Sequence, residues 1–153
     1  MIVRLHEIRE SGLKVSGEEA NELLDLDQSP EVGDYGKINY DLRLRLTANE
    51  LIVDGSVWAD IELECARCGV FFSTTCINSA FLRAYEVKPG SDEVDISDDL
   101  REGILLQMPT YPVCKDSCRG LCAQCGTDLN KDSCQCNATQ GDMRWGALDE
   151  LDL

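Results

Sequence analysis

Histidine is nearly absent from this chain. The 153 residues hold one, His6, and it lies in a weakly patterned N-terminal stretch. With no second histidine there can be no H-E-x-x-H helix, and the sequence shows no Ser/His/Asp set and no glycine-rich phosphate loop. Carboxylates are plentiful, but spacing singles out none of them as an acid/base pair. The expectation is therefore a protein that is not an enzyme and has no small-molecule substrate, with His6 incidental. Long apolar runs are missing too. Nothing approaches the ~18 residues a membrane-spanning helix needs, so no membrane role is expected. The opening MIVRLHEIRE is too polar for an export signal, which points to the cytoplasm. Basic residues are scarce: 14 against 29 acidic ones, for a formal net charge of −15. A protein that coats duplex nucleic acid needs the opposite balance. Contact with RNA, if any, has to be local or run through a basic protein partner.

Acidic residues are unevenly spread. Seven lie between Gly17 and Asp34 with no basic residue among them, and six lie between Ser91 and Glu102 beside the single Arg101. These stretches read as solvated faces or as docking surfaces for a basic partner. Cysteine is abundant, with nine in the chain. The count is odd, the spacing is clustered and no export signal accompanies it. A secreted disulfide framework fits poorly, and metal binding in a reducing compartment fits well.

Hydrophobic patterning is clearest in the middle. Ile38, Tyr40, Leu42, Leu44 and Leu46 alternate with polar residues, the signature of a strand with one face on a core. After a turn near residues 48–50 the alternation resumes through Leu51, Val53, Val57, Ala59, Ile61 and Leu63, with Gly55 marking a bulge. A tight turn at Ala66 and Arg67 leads into a third strand from Gly69 to Tyr85. Ile2–Ile8 reads as a strand, Glu19–Leu26 as a short helix, and Val94–Ile96 as another short strand. Ser97, followed by Asp98 and Asp99, suits a helix N-cap, and Pro109 stops that helix. Trp145, Leu148 and Leu151 fit a short docking helix in the tail. The fold expected is α+β: a mostly antiparallel β core, a curled meander, with one packed helix and a C-terminal zinc-binding segment. Residues 1–110 would form the core domain and 111–153 the cysteine-rich segment and tail. The N-terminal segment would add a strand over an exposed edge.

Six cysteines fall between Cys114 and Cys136. Cys122-Ala-Gln-Cys125-Gly126 is the strongest element, because a C-x-x-C-G turn aims two thiolates at one ion. Cys118, Cys136, Cys134 and Cys114 are candidates for the second pair, in that order. Soft thiolates select zinc or an iron–sulfur cluster, and zinc is the expected cofactor at close to one ion per chain. A second pair, Cys65-Ala-Arg-Cys68-Gly69, sits at the strand-to-strand turn. It can complete the C-terminal site, bind its own metal with Cys76, rigidify the hairpin, or act as a redox dithiol. Arg67 at its tip suits recognition of a phosphate or carboxylate, or is an ordinary turn residue.

The segment from Pro109 through Cys114, Cys118, Cys122 and Cys125 to Asn130, with Cys134-Gln-Cys136 behind it, resembles the YceD family. That is the bacterial and plastid group called large ribosomal RNA subunit accumulation proteins. Glu64-Cys65-Ala-Arg67-Cys68 is similar to the family's C-x-R-C after a long strand, and Asp142-Met-Arg144-Trp-Gly-Ala-Leu148 resembles its tail. The likeness spans residues 37–148. It implies a role in large-subunit rRNA accumulation and assembly, with a ribosomal protein, rRNA or large-subunit precursor as partner, and brings no catalytic residue. It also implies that Cys65, Arg67 and Cys68 act apart from the C-terminal cluster. Two other classes stand beside this one: a zinc-ribbon interaction module in transcription or RNA turnover, and a thiol-redox protein using Cys65 and Cys68.

Overall fold

A computed structural model describes residues 1–136. The strands are β1 (Ile2–Arg4), β2 (Leu13–Glu19), β3 (Val32–Tyr35), β4 (Ile38–Leu46), β5 (Glu50–Glu64), β6 (Phe71–Glu86) and β7 (Glu93–Asp95), and one helix follows, α1 (Ser97–Leu105). All pairings are antiparallel. The α+β class read from the sequence is the class observed. The expected docking helix around Trp145, Leu148 and Leu151 lies outside the described residues.

The sheet is organised around β5. One edge of β5 carries β6 along its whole length, from the Glu50–Glu86 pair to the Glu64–Phe71 pair. The other edge is shared by β4, against Leu51–Trp58, and by β3, against Ile61 and Leu63. The N-terminal segment does cover an edge, because β2 pairs along β4. β1 and β7 form a separate two-stranded ribbon.

The alternation in β4 and β5 places Ile38, Leu42, Leu44, Leu51, Val53, Val57, Ala59, Ile61 and Leu63 in the core. At the two positions of β4 where it fails, Tyr40 is half-buried and Leu46, at the strand's end, is 40% exposed. The bulge at Gly55 exists, but its extra residue lies opposite, on β6. Gly55 faces Phe81 while Val57 faces Asn78. That insertion reverses the facing of β6, so Cys76 is buried before it and Phe81 after it. Gly55 itself has φ +152°, and an added Cβ would lie 2.9 Å from Leu42 Cα and closer still to the Asp41 carbonyl oxygen.

Helix α1 lies on the inner face of the sheet through Leu100 and Ile104, both fully buried. Gly103 lets it approach, since a Cβ there would meet the Phe81 ring at 3.1 Å. Asp99, in the first turn, accepts hydrogen bonds from Arg83 Nε at 2.8 Å and Tyr85 Oη at 2.6 Å, which fixes the helix to β6. Burial and that carboxylate hold the Tyr85 phenol far above its usual range. Ser97 begins the helix, with Ile96 in the capping position, and its hydroxyl donates to Asp95. Two other short elements differ in kind from expectation. Ile2–Arg4 is extended but Leu5–Glu7 turns into a 3-10 helix, and the turn at Asn21–Leu24 is 3-10 rather than α. Among the described residues no helix is long and apolar enough to cross a membrane.

Candidate metal centres

Two knuckles with the same sequence pattern fold the same way. In Cys65-Ala-Arg-Cys68-Gly69, Gly69 N–H donates to Cys65 C=O at 2.9 Å and Cys65 N–H to Val70 C=O at 3.0 Å. In Cys122-Ala-Gln-Cys125-Gly126, Gly126 N–H donates to Cys122 C=O at 2.9 Å and Cys122 N–H to Thr127 C=O at 2.8 Å. Each turn closes only if its last residue adopts a left-handed conformation. Gly69 has φ +68° and Gly126 φ +72°, the reason glycine follows both cysteine pairs.

Each knuckle finds its own second pair. Cys65 and Cys68 meet Cys114 and Cys118, and Cys122 and Cys125 meet Cys134 and Cys136, with all four sulfurs of each set within 4.8 Å of one another. The arrangement differs from the sequence reading in two respects. The cysteines from 114 to 136 do not compete for one four-ligand shell, and Cys65 and Cys68 do not stand apart from them. The chain thus has two four-thiol sets where one metal site was expected. Cys76 joins neither, being buried in the sheet interior where desolvation pushes its thiol up.

The donor sets fit a tetrahedral ion. Sulfurs at ~2.3 Å from a central metal lie ~3.8 Å apart. Cys65 and Cys118 Sγ are 3.9 Å apart, and Cys68 and Cys114 Sγ 3.8 Å. The electrostatics agree. Burial alone would raise the Cys65 thiol, but the N–H groups of Cys114, Arg67 and Cys68 outweigh it and bring it to about 6. Cys114 is pushed up to about 12 by burial and by Cys118, Cys65 and Cys68. In the other set the Thr127 hydroxyl and amide lower Cys125 to about 6, while Cys125, burial and Cys122 raise Cys136 to about 12. Four thiols this close cannot all ionise without a cation among them; a divalent ion would supply one and would displace protons on binding.

The two centres differ in setting. Cys65, Cys68 and Cys118 are 2%, 7% and 5% exposed, under Phe72 and Val113. In the outer centre Cys125 is exposed and its three companions half-buried. The centres are also wired together. Asn130, on the outer loop, donates Nδ2 to Cys118 Sγ at 3.4 Å and accepts Arg119 N–H at 2.9 Å. A 680 Å³ cavity adjoins the inner centre, with Leu26, Val32, Leu63, Met108 and Leu121 among its walls.

Arg67 has a role the sequence did not suggest. Its Nη1 donates to the carbonyls of Asp116 at 3.1 Å and Cys118 at 3.0 Å, and its own C=O accepts Leu121 N–H at 3.0 Å. Gly120, at φ +72°, allows that approach, since a Cβ would lie 2.9 Å from Arg67 O. Arg67 therefore ties the β5–β6 turn to the ligand loop through Nη1, while the residue itself stays exposed. Arg67→Ala removes two charge-assisted bonds, and about 2 kcal/mol of stability should go with them. Metal should leave the inner centre faster and the outer centre at an unchanged rate. Equal release from both centres would contradict this positioning role.

Among the described residues, an antiparallel sheet with one α-helix and two cysteine knuckles defines the class of protein, and sequence comparison shows what it is similar to. Residues 83–152 match the family described as large ribosomal RNA subunit accumulation protein YceD. The chain is 35% identical over 63 residues (41% of its length, 20% of the relative's) to an Arabidopsis thaliana protein named large ribosomal RNA subunit accumulation protein YCED homolog 1, chloroplastic. The Zea mays protein of the same name is 44% identical over 50 residues, 31% of this chain and 17% of that one. A Mycobacterium leprae protein of uncharacterised role is 32% identical over 106 residues, 60% of this chain and 49% of the relative. These matches, the family model's over residues 83–152 and those of the plant relatives, support a place for the chain in the YceD family. The chain spans about half the length of the mycobacterial relative and less of the plant ones. No solved structure matches it.

Proposed function

We propose that this chain is a non-catalytic cytoplasmic factor that promotes accumulation of large-subunit ribosomal RNA and assembly of the large subunit, by binding a ribosomal protein or precursor rRNA. The reading rests on the family match over residues 83–152 and on the printed names of the plant relatives. Physical features support it. A shell of four cysteines is closed, as in structural zinc sites, whereas catalytic zinc keeps a position open. Zinc is the metal proposed for both centres, with Cys65, Cys68, Cys114 and Cys118 holding one ion and Cys122, Cys125, Cys134 and Cys136 the other. The burial of Cys65 and Cys68 weighs against thiol–disulfide exchange, which needs access to the attacked sulfur. A net charge of −15 favours a basic protein over bare duplex RNA as the direct partner.

Depletion of the protein in its own cell should lower the ratio of large to small ribosomal RNA and shrink the large-subunit peak on a gradient. Wild type should rescue both, and a Cys122→Ser, Cys125→Ser variant should not. Normal subunit peaks after depletion would leave the proposal without support.

A further inference from the structure

β6 has a free edge. Among the described residues it pairs only with β5, so one row of its backbone N–H and C=O groups has no strand beside it. Natural sheets usually protect such an edge with lysine, proline or a short strand. This strand runs sixteen residues, and from Phe71 to Leu82 it contains no charged residue, no proline and no glycine. Its one protective feature is the bulge near Asn78. The stretch before the bulge, Phe71–Ile77, is regular and presents Phe71 at 42% and Ile77 at 52% exposure.

The face beside that edge carries uncompensated negative charge. Glu64, Glu62 and Asp60 on β5 stand directly opposite Phe71, Ser73 and Thr75 on β6. None of the three forms an ion pair among the described residues. Asp60 accepts only the Thr75 hydroxyl, at 2.6 Å, and Glu62 a long contact from Asp34 N–H. Asp34, Asp60, Glu62 and Ser73 line a shallow cavity of about 390 Å³ on this face. Ser73 and Thr75 are small, so nothing bulky stands between the free edge and the carboxylates.

We propose that the Phe71–Ile77 edge of β6 is a strand-addition site for an extended, cationic segment of a partner protein. The added strand would take the free backbone groups of β6. Alternate lysine or arginine side chains would then lie across Ser73 and Thr75 toward Glu62 and Asp60, one strand spacing further in, at about 4.8 Å per strand. Charge selects this occupant over a second copy, since pairing two chains of −15 would set like charges against each other.

The test uses the full chain, zinc-loaded and 15N-labelled, titrated with a synthetic peptide of alternating lysine and valine. Three controls accompany it: the glutamate–valine counterpart, the lysine peptide with alternate amides N-methylated, and an Asp60→Asn, Glu62→Gln variant. The expected result is amide shifts concentrated in residues 71–77, lost with the glutamate and N-methylated peptides. The variant, whose free spectrum reports that it folds, should bind about tenfold more weakly, the weight of one charge-assisted contact. Ile77→Lys should abolish the shifts. Equal binding of the N-methylated peptide, or shifts spread over Gly17–Asp34 and Ser91–Glu102, would mean generic charge attraction and overturn the proposal. So would β6 amides already protected from exchange in the free chain, whether as a monomer or as a dimer.

Discussion

Freshly purified protein should carry two zinc ions per chain, and the two should leave at different rates. A coloured chelator is expected to remove the outer ion in a fast phase, because Cys125 is exposed. The inner ion should follow much more slowly, behind three sulfurs that are at most 7% exposed. Paired variants separate the two. Cys122→Ser with Cys125→Ser should retain one ion and an intact sheet. Cys65→Ser with Cys68→Ser should also retain one ion but detach residues 112–118 from the β5–β6 turn, since Ala66 N–H to Pro112 C=O and the Arg67 bonds depend on that geometry. The apparent energy of structural zinc, ~10–16 kcal/mol in small modules, is large beside the few apolar contacts of residues 114–136. Full chelation should therefore disorder that segment while leaving the sheet folded. One equivalent of metal, released in one phase, would refute the two-centre arrangement.

Gly55→Ala should be the most damaging single change in the sheet. The methyl group would sit 2.9 Å from Leu42 Cα at a backbone angle of +152°, where alanine is strained. Neither neighbour can yield, because both are backbone in the paired strand β4. The cost should be about 3 kcal/mol or more, seen as a lower denaturation midpoint with an unchanged slope. A loss under about 1 kcal/mol would mean that β4 and β5 part easily at this point.

These two expectations draw on features of unequal visibility in the sequence. The β4–β5 hairpin was legible because each strand keeps one phase: the odd residues from Leu51 to Leu63 face inward without a break. β6 was harder to read. Its phase reverses at the bulge, so Cys76 and Phe81 share a face only after the extra residue is inserted. β2 and β3 carry weak patterns, since β2 is an outer strand with Gly17, Glu18 and Glu19 at its end and β3 is only four residues long. The knuckles themselves were legible, because a C-x-x-C-G turn is a local device. Their partners were not. Nothing near Cys65 in the chain announces Cys118, 53 residues away, and only the packing of β5, β6 and α1 brings them together. The structural contacts of Arg67 were hidden for the same reason, since its acceptors lie 49 and 51 residues further on.

That separation orders the two centres in time as the chain folds. Every outer ligand lies in one stretch from Cys122 to Cys136, so this centre can capture its ion in a short peptide with little chain entropy to overcome. The inner centre closes loops between residues 46 and 53 positions apart, and its halves meet only after the hairpin and helix are in place. Filling it should come late and seal a finished sheet. A chain stalled before that step would present two half-sites, each with a free dithiol, as the mark of its immaturity.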